Sequence, residues 1–128
     1  MTRWAYRKGA HYERELLKKL QGKGFFVTRA AGSGVEGTSP DLIVLSTTKK
    51  FALECKAWEG DYVRIDKEKL GIMHDWERRT GMPVYIGWKR SREAWRFFPL
   101  IAMKETGKAF VLSETDLNSG MTFEELVI

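Results

Sequence analysis

The sequence predicts an α/β fold, a central mixed β-sheet flanked by helices, and three observations carry that expectation. Two stretches, at about 7–21 and 66–80, repeat apolar residues at helical spacing. Between them DLIVLS at 41–46 and FALECKA at 51–57 are almost continuously apolar, as in strands covered on both faces. The order helix, three strands, helix, further strands then describes a mixed sheet with helices packed on its faces.

In the first helix Tyr12, Leu16, Leu17 and Leu20 recur on one side, and Gly22 and Gly24 end the pattern. FFVTRA at 25–30 reads as a strand, and AGSGVEGTSP at 31–40 as a surface loop. The strands at 41–46 and 51–57 are joined by a short turn containing Lys49-Lys50. Asp66 is placed to cap a helix running to Thr80, with Leu70, Met73 and Trp76 on its apolar face, Gly81 at its end and Pro83 preventing continuation. VYIGW at 84–88 and AWRFF at 94–98 form a hairpin around KRSRE, and KAFVLS at 108–113 adds an edge strand. Thr122 and Glu125 have capping-box spacing for a last helical turn.

The chain of 128 residues, 43% hydrophobic and 30% charged, reads as a single domain over 1–128 with material for one core. Its motifs fall within 6–100, and 104–128 is an acidic C-terminal segment. The longest apolar run, FFPLIAM, contains a proline and is far short of the ~20 residues a bilayer span needs, so no membrane partner is expected. The charged opening MTRWAYRKGAHYEREL lacks a secretory apolar region, and the expected compartment is cytoplasmic, the host's if the source is viral. One cysteine and two histidines leave no multi-cysteine or histidine-rich zinc site. GSGVEG lacks the ending of a P-loop and opens no helix, so no nucleotide cofactor is expected. Residues 1–103 carry 20 basic and 12 acidic side chains, against two and five in 104–128. A basic body with an acidic end suits a polyanionic partner such as nucleic acid.

Three carboxylates stand where apolar side chains belong. At about 100° per residue, Tyr12, Leu16, Leu20 and Leu17 fall near 0°, 40°, 80° and 140°, and Glu13 falls near 100°, inside the stripe. Such a carboxylate needs a cation, from a metal or from a nearby Lys or Arg. Asp41 opens an apolar strand, either as a Pro-Asp turn or as a ligand. In Glu54-Cys55-Lys56, alternation sends Glu54 and Lys56 to one face and Cys55, with Phe51 and Leu53, to the other. The apolar neighbours place this strand in the interior, which argues against an exposed ion pair. Two or three carboxylates and a lysine are what phosphodiester hydrolysis requires. The acids hold divalent metal, which polarises the phosphate and lowers the pKa of water, and the lysine offsets transition-state charge. An all-oxygen donor set favours Mg²⁺ or Mn²⁺.

Pro40-Asp41 followed by Glu54-Cys55-Lys56 resembles the PD-(D/E)XK nuclease superfamily. Arg7-Lys8-Gly9 leading into Tyr12-Glu13-Arg14-Glu15-Leu16, then Gly24-Phe25 and Arg29-Ala30-Ala31-Gly32-Ser33-Gly34, resembles the archaeal-type Holliday junction resolvase (Hjc) family. The resemblance is specific over about 6–57 and looser beyond, at Trp76-Glu77-Arg78-Arg79 and Trp95-Arg96-Phe97-Phe98. It implies a restriction-endonuclease-like domain and a homodimer that nicks four-way DNA junctions symmetrically with Mg²⁺, for which Mn²⁺ substitutes. It further implies Glu13, Asp41 and Glu54 as metal-binding acids, Lys56 as the catalytic lysine and Ser33 as a loop serine near the scissile strand. Arg14 and Arg29 match arginines tied to activity or DNA contact.

Arg3, Arg7, Lys8, Lys18 and Lys19 near the first helix are candidate phosphate contacts, as are Lys49, Lys50, Lys89, Arg90 and Arg92. Trp4 and Tyr6, in an N-terminal arm, are the candidate DNA-facing aromatics, and Trp76 a candidate at a dimer interface. Trp88, Trp95, Phe97 and Phe98 belong to the core or a subunit interface. Two rival readings remain: another PD-(D/E)XK nuclease acting on duplex DNA in restriction or repair, and a non-catalytic DNA-binding module of the same fold.

Overall fold

The structure is a computed structural model that describes residues 3–30 and 39–128, and for residues 3–6 the backbone alone. The loop serine Ser33 therefore lies outside the described residues, as do the side chains of Arg3, Trp4 and Tyr6.

Helix α1 (Arg3–Gly22) starts before the predicted boundary and takes in the stretch expected as an arm. It buries Leu16 and Leu20 completely. Strands β1 (Phe26–Arg29), β2 (Leu42–Leu45) and β3 (Lys50–Ala57) form an antiparallel meander. The chain then crosses over through β4 (Tyr62–Asp66) and α2 (Lys67–Thr80) to β5 (Val84–Lys89), parallel to β3, and returns in β6 (Arg96–Pro99). The resulting five-stranded sheet has the order β1-β2-β3-β5-β6. Gly81 closes α2 in the left-handed region at φ 73°, its N–H donating to the Glu77 carbonyl, a conformation that costs a side-chain-bearing residue more.

The sheet separates two cores, and the alternation of β3 feeds both. Phe51, Leu53 and Cys55 pack on the α1 side with Leu16, Leu20, Trp95 and Phe97. Ala52 packs on the α2 side with Leu70, Met73, Ile86, Trp88 and Phe98. The strand aromatics are thus core residues, and Trp76 lies partly buried against the second cluster.

Several details differ from expectation. β4 was not foreseen; it pairs with β8 (Ala109–Ser113), which pairs with β7 (Lys104–Thr106), so 109–113 is the centre of a second sheet, β4-β8-β7, and not an edge. The acidic segment supplies Leu112 to one core and Phe123 and Leu126 to the other. The second hairpin strand begins at Arg96, two residues later than expected, after a turn that includes Arg92 at φ 65°. Asp66 stands at the N-cap of α2 but, as the last residue of β4, makes no side-chain cap bond.

At the C-terminal helix α3 (Phe123–Val127) the capping box forms: the Glu125 N–H donates to Thr122 Oγ1 at 3.1 Å and the Thr122 N–H to Glu125 Oε1 at 2.9 Å. Because this helix carries the buried Phe123 and Leu126, Thr122→Ala is expected to cost about 1 kcal/mol, read as a lower denaturation midpoint at unchanged slope. Among the described residues, no helix is long and apolar enough to cross a membrane.

Candidate active site

The β2–β3 register creates the site. Leu42 lies opposite Leu53, so Asp41, one residue before β2, comes opposite Glu54. Two main-chain contacts fix the aspartate: its carbonyl accepts the Ala30 N–H at 3.0 Å, and its Oδ2 accepts the Cys55 N–H at 2.8 Å. The Pro-Asp step therefore starts a strand and also ties a carboxylate to the neighbouring one.

Glu54 is 4% exposed, the only fully buried charged side chain among the described residues. Its Oε1 has no hydrogen-bond partner. Its Oε2 lies 3.8 Å from Lys56 Nζ, on the same strand, and 3.8 Å from Lys69 Nζ, in the first turn of α2. Burial, and secondly the charge of Asp41, raise the Glu54 carboxyl from 4.5 to about 7; the two lysines act in the opposite direction.

Glu13 reaches the site from α1. Its side chain is 17% exposed, and Arg29 Nε, from β1, donates to its Oε1 at 2.8 Å. Burial first and Asp41 second raise its pKa, while Arg29 and the more distant charge of Arg14 lower it. Asp41 is the acid that both glutamates feel. All three carboxylates act on the partly buried Cys55 thiol, which desolvation first and then their charges push well above the usual range. The charge of Asp41 thus reaches both Glu13 and Glu54, which places the three acids in one neighbourhood beside β3. As they lie, Glu13 is turned to Arg29 and Asp41 to the Cys55 N–H. No three His, Cys, Asp or Glu side chains among the described residues converge on one ion-sized point.

The basic residues divide. Arg29 is bound to Glu13, whereas Arg7 and Arg14 are exposed. Lys8 is only 12% exposed and pairs with Glu59, just beyond β3. Glu59 also accepts the Ser91 N–H at 3.0 Å and the Ser91 hydroxyl at 2.7 Å, and Lys8 and Ser91 hold its carboxyl down at about 2 against the opposing effect of desolvation. Lys8 thereby ties α1 to the loops beside the site.

Sequence reasoning missed Lys69. On the α2 wheel, with Leu70 at 0°, Met73 and Trp76 fall near −60° and −120° and Lys69 near −100°, inside the apolar sector. The test that singles out Glu13 on α1 would have found it.

Comparison with known proteins gives a consistent result. The family described as archaeal Holliday junction resolvase (Hjc) matches residues 4–128. A protein of Archaeoglobus fulgidus named crossover junction endodeoxyribonuclease Hjc is 30% identical over 120 residues, covering 93% of this chain and 88% of its own length. One of the same name from Methanocaldococcus jannaschii is 31% identical over 126 residues, covering 98% and 90%. The solved structure of Archaeoglobus fulgidus Hjc, described as a Holliday junction resolvase from an archaeal hyperthermophile, superposes with a TM-score of 0.84 at 28% identity, covering 94% of this chain and 95% of that one.

Proposed function

The chain belongs to the archaeal Holliday junction resolvase (Hjc) family, and from that premise we propose that it is an endonuclease resolving four-way DNA junctions by metal-dependent hydrolysis at Asp41, Glu54 and Lys56. The observation that carries the chemistry is Glu54: a buried carboxylate with an unpartnered oxygen, opposite Asp41 and beside two ammonium groups. A buried anion with an orphan oxygen and a second carboxylate beside it is a poor structural device and a good cation receptor.

The residues fit a hard divalent ion, Mg²⁺ with Mn²⁺ as its substitute. Asp41 and Glu54 would hold it, with Glu13 as the third acid once released from Arg29. The ion supplies charge stabilisation at the phosphate and makes water a better nucleophile. The protein does the rest. Lys56 offsets charge on the phosphate as water attacks phosphorus and one ester P–O bond breaks, leaving a phosphomonoester and a hydroxyl. Arg7 and Arg14, exposed on α1, contact DNA phosphates outside the cut, with Lys8 at the edge of that face. Ser33, outside the described residues, takes from the family resemblance the role of the serine near the scissile strand. Two copies acting as a homodimer place one site on each of two opposed strands, with Trp76 at the interface; sedimentation at twice the mass of one chain is the corresponding measurement. The reaction belongs in the cytoplasm, where the DNA is.

The test is a gel assay of an end-labelled four-way junction and a linear duplex of the same sequence, each with Mg²⁺ and with EDTA. Paired symmetric nicks in the junction alone, abolished by EDTA, are expected. Cutting of the duplex moves the protein to the broader PD-(D/E)XK nucleases, and binding without cutting makes it a DNA-binding module.

A further inference from the structure

We propose that Lys69 is a second active-site lysine, which donates to a phosphate of the DNA strand being cut. The inference rests on the junction-cleaving reading and adds to it a residue outside the PD-(D/E)XK pattern.

Three observations meet here. The first is cost. Lys69 is the third residue of α2, where the positive end of the helix dipole disfavours a cation, and it lies on the apolar side of the helix, with its side chain only 26% exposed. Lys67, also in that turn, is 48% exposed and pairs at the surface with Glu105, so the turn has an ordinary way to accommodate a lysine and Lys69 does not use it.

The second is geometry. Lys69 Nζ stands 3.8 Å from Glu54 Oε2, the oxygen that Lys56 Nζ also approaches at 3.8 Å. That separation is too long for a hydrogen bond, so the attraction does not use up the ammonium's donors. The two lysines reach the carboxylate from different elements, β3 and α2, and flank it.

The third is charge. At full ionisation, as the acids stand when they hold a cation, the charges of Glu13, Asp41 and Glu54 balance those of the cations paired with them, Arg29, Lys56 and Lys69. A divalent cation taken up by the acids leaves the site two charges positive. A single phosphodiester neutralises half of that, and a second phosphate of the same strand the remainder. Lys56 accounts for one phosphate contact and Lys69 for the other.

The experiment compares wild type, Lys69→Met and Lys69→Arg. Junction binding is titrated with Ca²⁺, a hard divalent ion that oxygen ligands hold, in place of Mg²⁺, on a junction whose intactness is checked on a denaturing gel, at several salt concentrations; a lost phosphate contact makes the slope of log K against log[salt] shallower by about 0.9. Lys69→Met is expected to show that change and to cut the junction in Mg²⁺ ~10- to 100-fold more slowly at saturating protein. Lys69→Arg, which keeps the charge, is expected to keep the slope. A slope unchanged in Lys69→Met makes Lys69 a mere partner of Glu54 and overturns the proposal, as does the same altered slope in both variants. Wild type runs on the same gels: if it leaves the junction intact, the functional reading itself fails, a result distinct from a cutting wild type with an unaltered Lys69→Met slope.

Discussion

Asp41→Asn is expected to slow junction cleavage by at least ~10³-fold, about 4 kcal/mol of barrier, while junction affinity stays within about threefold of wild type. Asparagine has the same shape, and its amide oxygen still accepts the Cys55 N–H that Asp41 Oδ2 now holds at 2.8 Å, so the β2–β3 junction survives the change. What disappears is the negative charge that acts on both Glu13 and Glu54. The substitution therefore separates the proposed cation-holding role of Asp41 from its role in starting the strand. Binding is expected to persist because exposed basic residues away from Asp41, Arg7 and Arg14 among them, are the proposed phosphate contacts. Single-turnover gels and an electrophoretic binding titration read the two effects. Cleavage at the wild-type rate by a folded Asp41→Asn protein removes Asp41 from the chemistry.

The acids were legible in the sequence because each violates a local rule. Glu13 interrupts an apolar helical stripe, and Glu54 sits among Phe51, Ala52, Leu53 and Ala57; a carboxylate in either place costs free energy that only a cation offsets. The central strands were legible for the complementary reason, since burial on both faces leaves a run such as DLIVLS no polar side. Where the signal is weak, the reading fell short. β4 alternates strictly from Tyr62 to Asp66, but only Val63 and Ile65 face inward, and its partner β8 lies more than forty residues further on. Two apolar residues do not distinguish a strand from a loop leading into a capped helix, so the second sheet and the central place of β8 in it went unseen. Arg29 was legible as an arginine near the site; its role as the partner of Glu13 depends on β1 lying beside α1, which is a tertiary fact. Lys8 reads as a DNA contact on charge alone, and its link to Glu59, fifty-one residues away, is equally invisible to local pattern.

Glu54→Gln is expected to abolish cleavage and, in EDTA at pH 8, to make the protein more stable than wild type by on the order of 2–3 kcal/mol. The sign follows from the direction of the shift. The carboxyl titrates at about 7 in the folded protein against 4.5 as an ordinary glutamate, so between those values the native state holds a proton that the unfolded chain has lost. Stability contributed by the neutral carboxyl is fully present below about 4.5 and is lost as pH rises through about 7. Glutamine stands in for the neutral carboxyl at every pH. The variant and wild type should therefore converge near pH 4.5 and diverge progressively up to pH 8, by chemical denaturation with chelator present. Loss of the charge also leaves Lys56 and Lys69 without their shared partner, which reduces the gain without reversing it, because burial and Asp41 together outweigh both lysines in setting the shift. Mg²⁺ supplies the second half of the argument. In wild type at pH 8 it should recover stability, since an ion bound to the native state alone adds RT ln(1 + [Mg²⁺]/Kd), and in Glu54→Gln it should recover much less. A wild-type protein whose stability at pH 8 ignores both Mg²⁺ and the substitution would show that Glu54 is neither strained by its burial nor a ligand. The expected pair of results instead makes the buried, half-satisfied carboxylate a site held at the expense of the fold, with its free energy recovered when the ion binds.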